Sequence, residues 1–432
     1  MAPDRTKARG GDGRAMALAQ TIEAPDAGGA GNPAFTPTRE AGLARLEAAA
    51  RTLGRHYRDH RNSDLGPDDR TNVSVLSPWI THRLVSEREV LERVLADHDK
   101  GSAEQFVTEV FWRAYFKGWL EMRPWVWRAY GERRDRALAA VADNDGMHRD
   151  YTAAVEGRTG IEGFDDWARE IVETGYLHNH ARMWFASIWM HTLRLDWTLG
   201  ADFFLRHLLD GDAASNTLSW RWVGGLHTRG KVYAARRDNI SRNTGGRFSP
   251  SGLHEDPGPL PDDGVDTAPE PIEPLPPVPG GRVVLLVHAA DCTPEHLSWP
   301  GATIAAVAGM TATAERSPLP VSDAVTGFAL GAVRDGVARN AGRLGCDSTM
   351  VSDAPGLVRF AKAVGAGHIV TAYAPVGETR DLLDRVRARA GREGIGLHER
   401  RRDWDTRAWP HATKGFFKLK QRIPQLLRDA GL

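Results

Sequence analysis

Residues 174–222 decide the fold, and they read TGYLHNHARMWFASIWMHTLRLDWTLGADFFLRHLLDGDAASNTLSWRW. Most of this stretch has the apolar character of helices, yet it also holds an arginine, paired aspartates, an asparagine and several tryptophans. Polar groups in an apolar helical background are costly to bury unless they bind something. The stretch therefore predicts a buried site for a polar ligand.

Three motifs with fixed spacing lie within this stretch. Residues 175–182 form a Gly-aromatic-x-His-Asn-x-x-Arg run, residues 210–216 an Asp-Gly-Asp-x-x-x-Asn run, and residues 220–222 a Trp-x-Trp pair. Together they resemble the FAD-binding domain of the DNA photolyase and cryptochrome family. The resemblance implies a helical domain that holds FAD.

The length and composition limit the number of domains and the kinds of site that the chain can form. A chain of 432 residues predicts two or three domains. Its two cysteines, Cys292 and Cys346, provide neither a disulfide framework nor a four-cysteine metal site. No apolar run reaches membrane-spanning length, and the first residues lack the apolar core of a secretory signal. We expect a soluble, cytoplasmic protein that does not enter a membrane.

Charge predicts no global attraction to nucleic acid, because the formal net charge is +0. Locally, residues 220–247 hold seven basic residues against one acid, Asp238. This run is either a patch for DNA or an ordinary solvated surface, and its charge alone does not decide between them.

Composition shifts divide the chain into four parts. Residues 1–35 are rich in Gly, Ala, Pro and charge and predict a disordered arm. Residues 36–243 are dominated by helical patterns, with Thr38 as a cap and a long helix over 178–195. Residues 244–281 form a Pro/Gly-rich linker, and residues 282–432 alternate short apolar strands with helices. We predict a multidomain fold: an all-α photolyase-type FAD-binding domain, then a Rossmann-like α/β domain with a parallel sheet.

Strand candidates in the last part are residues 282–288, 303–307, 348–352, 368–372 and 396–399. Family members commonly carry a small α/β domain that can hold an antenna chromophore, and it precedes their FAD-binding domain. Here a similar domain follows instead, and residues 409–418 faintly resemble the segment that closes the family's antenna domain. A second chromophore is therefore possible, but its identity is unknown.

The family resemblance implies which residues contact the flavin. Residues 73–78 resemble the family's phosphate loop, with Val73 in place of a threonine for which Thr71 could compensate. Taken alone, the serines of this loop would be an ordinary helix cap, and the Arg182–Asp210 pair could be purely structural. The implied cofactor-binding residues are Tyr57, Ser74, Val75, Leu76, Ser77, Arg182, Asp210, Asp212 and Asn216.

Two tryptophans match the inner members of the family's electron-transfer chain, Trp220 and Trp197. The outer member is missing, since its position falls near Ala154. Tyr151, Trp184 and Trp189 are candidates to replace it.

Other matches concern the substrate, a cyclobutane pyrimidine dimer that is flipped out of the DNA duplex. Glu109 resembles a residue that hydrogen-bonds the dimer, and Trp112 and Trp222 resemble the two tryptophans that pack on it. Asn179 and Met183 follow the dimer-specific members rather than those that repair (6-4) photoproducts. The implied DNA-binding residues are Arg61, Arg113 and His180, the last standing where many relatives have arginine.

The leading hypothesis is a deoxyribodipyrimidine photolyase that acts on UV-damaged DNA by light-driven electron transfer. The alternatives are a cryptochrome-like photoreceptor without repair activity and a flavoprotein that has lost repair. The sequence does not predict an oligomeric state.

Overall fold

The computed structural model describes residues 35–432. The predicted disordered arm therefore lies outside the described residues, apart from Phe35. Phe35 is buried, with its ring centroid 5.7 Å from that of Trp79 and 6.0 Å from that of Tyr176. The described chain thus begins at a packed aromatic residue.

Helices make up the structure from residue 39 to residue 243. They are α1 (Arg39–Ala50), α2 (Arg55–His60), α3 (Ser77–Thr81), α4 (Glu87–Asp97), α5 (Lys100–Glu121), α6 (Pro124–Asp143), α7 (Asp145–Val155), α8 (Phe164–Thr174), α9 (Asn179–Ser187), α10 (Trp197–His207), α11 (Ala213–Val223) and α12 (Arg237–Asn243).

Side chains just before the helices fix where several of them begin. Thr38 accepts a hydrogen bond from the Ala41 N–H, which confirms it as the cap of α1. Ser86 and Glu89 form a capping box at the start of α4. Asp212 accepts from the Ser215 N–H at the start of α11, so the Asp-Gly-Asp motif lies at a helix N-terminus.

The helix predicted over residues 178–195 is interrupted. α9 ends at Ser187 and continues as a π turn, Ile188–Thr192. Arg194 then adopts a left-handed backbone conformation with φ of 57°, and Asp196 caps α10 by accepting from the Thr198 N–H. Apolar periodicity does not reveal such a break, because the residues on both sides of it are buried.

A five-stranded sheet forms the second half of the chain. Its strands are β1 (Gly281–His288), β2 (Ala302–Met310), β3 (Asp347–Met350), β4 (His368–Ala372) and β5 (Gly396–Arg400). The spatial order is β3-β2-β1-β4-β5 and every pair is parallel, which confirms the predicted parallel sheet. This is the order of a doubly wound sheet. The helices that accompany the strands are α13 (Asp323–Leu344), α14 (Ala354–Ala363) and α15 (Glu378–Gly391).

Residues 244–280 contain no helix or strand but are held along the helical domain. Arg123 Nε donates to the Thr267 carbonyl at 2.7 Å, and Trp125 Nε1 donates to the Asp266 carbonyl at 2.7 Å. Asp263 forms a buried ion pair with Arg221. The predicted linker is therefore an extended strap over the helices rather than a free connection.

Buried charges join the helical domain to the sheet domain. Arg83 is 1% exposed and lies 2.7 Å from Asp405 and 3.6 Å from both Glu87 and Asp291. Arg402 in turn binds Asp291 at 2.6 Å. Removing one partner from such a network would leave an uncompensated buried charge, so the network favours a single docking geometry.

The chain ends in short helical segments that return to the helical domain. They are α16 (Asp403–Ala408), α17 (Phe417–Lys420) and α18 (Ile423–Asp429). Gly118 of α5 touches the Trp409 backbone so closely that a Cβ there would lie 2.7 Å from Trp409 Cα. No helix among residues 35–432 is long and apolar enough to cross a membrane.

Candidate functional site

A cavity of about 450 Å³ opens in the helical domain, between elements that are far apart in the chain. Its wall is formed by the loop before α3, by α5, by α9 and by the segment from α10 to α11. The site residues predicted from sequence that line it are Tyr57, Arg61, Ser74, Val75, Leu76, Ser77, Glu109, Trp112, Arg113, Asn179, Arg182, Met183, Asp210, Asp212, Asn216, Trp220 and Trp222. Trp197 and His180 do not line it.

Arg182 and Asp210 form a two-pronged ion pair at the cavity wall. The guanidinium Nη1 and Nη2 atoms lie 3.0 and 2.9 Å from the two carboxylate oxygens, and Nε donates to the Leu177 carbonyl. Burial opposes ionisation of Asp210, but the Arg182 charge and its hydrogen bonds outweigh it and lower the pKa of Asp210. The site therefore keeps a fixed, planar cation beside a carboxylate.

Asp212 has a second cation as its partner. Lys117 Nζ lies 3.2 Å from Asp212 Oδ2, and Lys117 is buried on α5. Burial again opposes ionisation, yet the charges of Lys117 and Arg113 hold the pKa of Asp212 well below its usual range. Both aspartates of the Asp-Gly-Asp motif are thus ionised and paired with cations, the partly buried Arg182 and the buried Lys117.

The loop before α3 is held in an unusual backbone conformation. Val75 has φ of 54°, a region that β-branched residues rarely occupy. Arg45 secures the loop from α1, since its Nε donates to the Ser74 carbonyl at 2.7 Å and its Nη2 to the Val73 carbonyl at 3.2 Å. Such strain is typical of backbone that is shaped around a ligand.

Thr71 does not replace the hydroxyl that Val73 lacks. Its hydroxyl donates to Asp69 at 2.8 Å, on the exposed side of the loop. Ser77, predicted to contact phosphate, directs its hydroxyl to Asp210 and helps lower the pKa of that carboxyl. The loop therefore offers fewer free hydroxyls to a phosphate group than the sequence predicts.

The cavity mouth combines charge with flat rings. Glu109 lies 3.1 Å from Arg61 and accepts a hydrogen bond from Gln105 at 2.8 Å. The ring of Trp112 is stacked on Phe416, with centroids 3.9 Å apart and planes 10° apart. Trp222 also lines the cavity, and it stacks on Tyr233 with ring centroids 5.9 Å apart.

The chain is similar to known flavoproteins over its helical part. Residues 106–251 match the family described as the FAD binding domain of DNA photolyase. A deoxyribodipyrimidine photo-lyase of Streptomyces griseus is 35% identical over 247 residues, which cover 51% of this chain and 51% of that protein. A cryptochrome DASH of Xenopus laevis is 33% identical over 178 residues, which cover 39% of this chain and 32% of that protein. Within residues 106–251 this chain is thus similar to the FAD-binding domain of the DNA photolyase and cryptochrome family.

This similarity does not by itself assign an activity. The chain spans about half the length of the Streptomyces relative and less of the Xenopus one. The crystal structure of a Synechocystis cryptochrome overlaps with 48% of this chain and 43% of its own, at 23% identity and a TM-score of 0.39, too low to add to the sequence comparison. Both photolyases and cryptochromes are thus among its relatives.

The cavity fits FAD, the cofactor of this family's domain. Ser215 Oγ and Trp220 Nε1 are buried at its wall without a protein partner, so two hydroxyl or N–H groups are available to a bound polar molecule. Arg182 and Lys117 would favour an anionic ring system, and Asn216 lines the cavity while donating to the Ala201 carbonyl at 2.8 Å. These donors and cations would hold the flavin and its phosphates.

Trp220 and Trp197, the two tryptophans matched to the family's electron-transfer chain, lie in one aromatic cluster. Trp220 lines the flavin cavity, and its ring packs against Gly200, where a Cβ would approach to 2.2 Å. Gly200 is one helical turn from Trp197 in α10. Trp197 is 2% exposed, so neither indole reaches the surface. The electron-transfer role itself stays a prediction.

Two residues predicted to contact DNA have other partners. His180 Nδ1 lies 2.9 Å from the Asn62 carbonyl, and its Nε2 lies 2.9 Å from the Tyr233 hydroxyl. Arg113 Nη2 donates to Thr81 at 2.9 Å, and the Arg113 charge acts on the flavin-site aspartates. Because these partners already engage both side chains, the contacts do not favour binding of a DNA phosphate by either one. Arg61, in contrast, lines the cavity mouth.

The basic run over residues 220–247 is largely neutralised. Asp263 and Asp262 of the strap pair with Arg221 and Arg229, and Arg242 pairs with Asp238. Arg247 pairs with the buried Asp64. The count of seven bases against one acid therefore overstates the local charge, because acids outside the run approach it in the fold.

Sequence reasoning missed three residues that support the site. Arg45 holds the strained loop, Lys117 neutralises Asp212, and Phe416 stacks on Trp112. Lys117 follows Arg113 by one turn of α5, which is the one sequence signal that could have indicated it. Arg45 lies outside every motif described above, and Phe416 lies in residues 409–418, whose resemblance concerned the antenna domain and not this cavity.

Proposed function

We propose that this protein is a light-driven deoxyribodipyrimidine photolyase that splits cyclobutane pyrimidine dimers in DNA. One observation carries the proposal. The residues that match a dimer pocket line the same cavity as the residues that match the flavin site. The five on the dimer side are Glu109, Trp112, Asn179, Met183 and Trp222.

Binding would depend on flat apolar surfaces at the mouth. A flipped-out dimer has two stacked faces, and enzymes hold flipped bases between aromatic side chains. Trp112 lines the cavity and is held from behind by Phe416, and Trp222 lines it and rests on Tyr233. Both indoles are thus braced before substrate arrives, which reduces the entropy lost on binding.

Glu109 and Arg61 would act as a pair on the dimer. An ionised carboxylate only accepts hydrogen bonds, so Glu109 would orient the dimer through a pyrimidine N–H. Arg61, 3.1 Å from Glu109, would supply the positive charge that stabilises negative charge developing on the dimer. The pair would therefore combine orientation with electrostatic stabilisation.

Bound FAD in its reduced form would supply an electron to the dimer on absorbing light and take it back after the ring has opened. Arg182 and Lys117 would favour the anionic state of the cofactor through their charge, each held by its aspartate. Asn216, an uncharged amide, would line the ring without repelling that charge. No net oxidation or reduction results.

A second candidate function, a cryptochrome-like photoreceptor, is favoured by one observation. His180 is occupied by the Asn62 carbonyl and Tyr233, and four arginines of the basic run are paired with acids. The surface formed by residues 220–247 therefore offers less free positive charge to DNA phosphates than its sequence suggests. A photoreceptor would need no such face.

The sheet domain would take the place of the antenna domain that precedes the FAD-binding domain in relatives. In this chain the strands, residues 281–400, follow the helices. We assign no second chromophore to this domain. The wavelength dependence of activity, compared with the absorption of FAD alone, tests whether one is present.

Substitution of Glu109 tests the proposed function. Glu109→Gln and Glu109→Ala should lower repair of a dimer-containing oligonucleotide far more than they lower FAD content. Glu104→Gln is a matched control, because Glu104 is exposed on the same helix, pairs with Lys420 and does not line the cavity. Equal loss of repair and FAD in the Glu109 variants would contradict the assigned role.

A further inference from the structure

A line of aromatic rings leads from Trp197 toward the protein surface. The ring centroids of Trp197 and Tyr130 are 5.7 Å apart, with planes inclined by 38°. Those of Tyr130 and Trp127 are 5.1 Å apart and nearly parallel, inclined by 25°. Trp127 and Tyr130 lie one turn apart in α6, and Trp127 is partly exposed whereas Trp197 and Tyr130 are buried.

The aromatic neighbours of Trp220 lead inward. Trp189 contacts Trp220 at 6.2 Å and Tyr151 contacts Trp189 at 6.1 Å, but both Trp189 and Tyr151 are 0% exposed. Trp184 is equally buried, and its Nε1 donates to Asn239. None of the three replacements predicted from sequence therefore brings a ring to solvent.

We propose that Trp127 is the outer electron donor of this protein and that Tyr130 bridges it to Trp197. The inference rests on the proposed electron-transfer role of Trp220 and Trp197, and not on repair. After light absorption by oxidised FAD, Trp220 gives up one electron to it, Trp197 refills Trp220, and Trp127 refills Trp197. A thiol in solution then returns one electron to Trp127, loses its proton to water and becomes a thiyl radical. The protein ends unchanged and FAD has gained one electron, so full reduction would need a second such cycle.

Tyr130 serves as a bridge rather than as a stopping point. A phenol is oxidised with loss of its proton, and the buried Tyr130 hydroxyl has no hydrogen-bond acceptor among the described residues. The nearby carboxylate of Asp202 is bound by Arg206 at 2.9 Å and lies 3.7 Å from Arg134. The Arg134 guanidinium is also 5.7 Å from the Tyr130 ring, and its charge disfavours a cation there.

Trp127 suits the terminal position for the opposite reasons. An indole can be oxidised before it releases a proton, and a partly exposed ring has water at hand to stabilise the charge. Electron transfer also weakens steeply with distance, and it weakens less where an aromatic ring such as Tyr130 fills the space between the two indoles. The indoles of Trp197 and Trp127 are no further apart than the sum of the two measured spacings.

Five variants of the FAD-loaded protein test the proposal. Trp127→Phe and Tyr130→Leu should slow blue-light reduction of FAD by thiol to the rate of Trp197→Phe. Tyr130→Phe should stay near wild type, because it keeps the ring and removes only the hydroxyl. Trp125→Phe is the matched control, since Trp125 is partly exposed on the same helix and donates to the Asp266 carbonyl instead of contacting Tyr130.

Transient absorption of the indole radical gives a readout that folding defects do not mimic. In wild type a long-lived radical should form, and in Trp127→Phe it should decay quickly while FAD content and melting temperature stay unchanged. Wild-type radical lifetime and reduction rate in Trp127→Phe would overturn the proposal, as would a phenoxyl signal that disappears in Tyr130→Phe. Repair by protein reduced chemically in the dark reports separately on the proposed function, because that assay bypasses Trp127.

Discussion

Phe416 lies parallel to Trp112, with ring centroids 3.9 Å apart and planes inclined by 10°. The pair joins the C-terminal segment, which follows the sheet, to the mouth of the flavin cavity in the helical domain. One face of Trp112 is therefore covered by protein. The stacked contact restricts how far the Trp112 ring can tilt, and a dimer would meet a ring of fixed orientation.

Replacing Phe416 should weaken binding of damaged DNA while sparing the cofactor. An aromatic pair contributes about 0.5–1.5 kcal/mol beyond its burial, so Phe416→Ala should weaken binding of a dimer-containing oligonucleotide several-fold. Fluorescence anisotropy measures this, and flavin absorbance measures FAD content. Phe417→Ala is the control, because Phe417 is 78% exposed and should change neither quantity. Unaltered DNA affinity in Phe416→Ala would mean that Trp112 does not pack on the lesion.

Removing Lys117 should leave Asp212 as an unpaired buried carboxylate. Breaking a buried pair on one side costs about 3–5 kcal/mol, so Lys117→Met should lower both the free energy of unfolding and the affinity for FAD. The double variant Lys117→Met with Asp212→Asn should recover part of the free energy of unfolding, since the isolated charge is gone. Chemical denaturation and flavin titration measure the two effects. If Lys117→Met were as stable as wild type, the charge of Lys117 would not be needed to balance that of Asp212.

Glu170 should give stability a distinctive dependence on pH. Burial and the nearby Asp64 raise the pKa of Glu170 to about 7 against the opposing charge of Arg70, 3.0 Å away. Because the folded state holds this proton more tightly, its contribution to stability is present at low pH and is lost as pH rises from about 4.5 to 7. The free energy of unfolding should therefore fall by at most about 1.4 kcal/mol per pH unit in that window.

Glu170→Gln isolates that contribution. Glutamine keeps an oxygen that can accept from Arg70 and does not titrate, so the variant should lose the fall between pH 5 and 7. Urea denaturation at several pH values measures the slope. An identical slope in wild type and variant would mean that Glu170 is ionised throughout this range in the folded protein.

Acid should act in the opposite sense on the two flavin-site aspartates. The pKa values of Asp210 and Asp212 lie below their ordinary values, so their contribution is present above about pH 4 and is lost as pH falls through the folded values. FAD should therefore dissociate on acidification. In Asp210→Asn, FAD should dissociate at a different pH than in wild type, or over a broader pH range. Flavin fluorescence during an acid titration measures this dissociation. An acid titration of Asp210→Asn that matches wild type would contradict the assignment.

Local motifs predicted the site well where the chain itself brings the residues together. Arg182 of α9 and Asp210 of the turn between α10 and α11 belong to one continuous stretch of sequence, and they meet at 2.9 and 3.0 Å. The parallel sheet was likewise predicted, because β-branched runs alternate with helical ones. Periodicity and capping are local properties, so sequence alone reveals them.

Contacts that depend on docking were not predicted. Phe416 reaches Trp112 only because the C-terminal segment folds back across α5, and the arginines of the basic run are neutralised by Asp262 and Asp263 of the strap. The distances in sequence are long, and no periodic pattern links such residues. The Tyr130 and Trp127 pair was missed for a related reason: its role depends on Trp197, which approaches from another helix.

Repair of a defined thymine-dimer oligonucleotide tests the central claim most directly. Purified protein with bound FAD, chemically reduced and irradiated with blue light, should convert the dimer to two intact thymines, measured by chromatography of the strand. The same mixture kept in the dark should leave the dimer unchanged. Failure to restore the strand, with FAD bound, reduced and illuminated, would contradict the photolyase assignment and favour the photoreceptor.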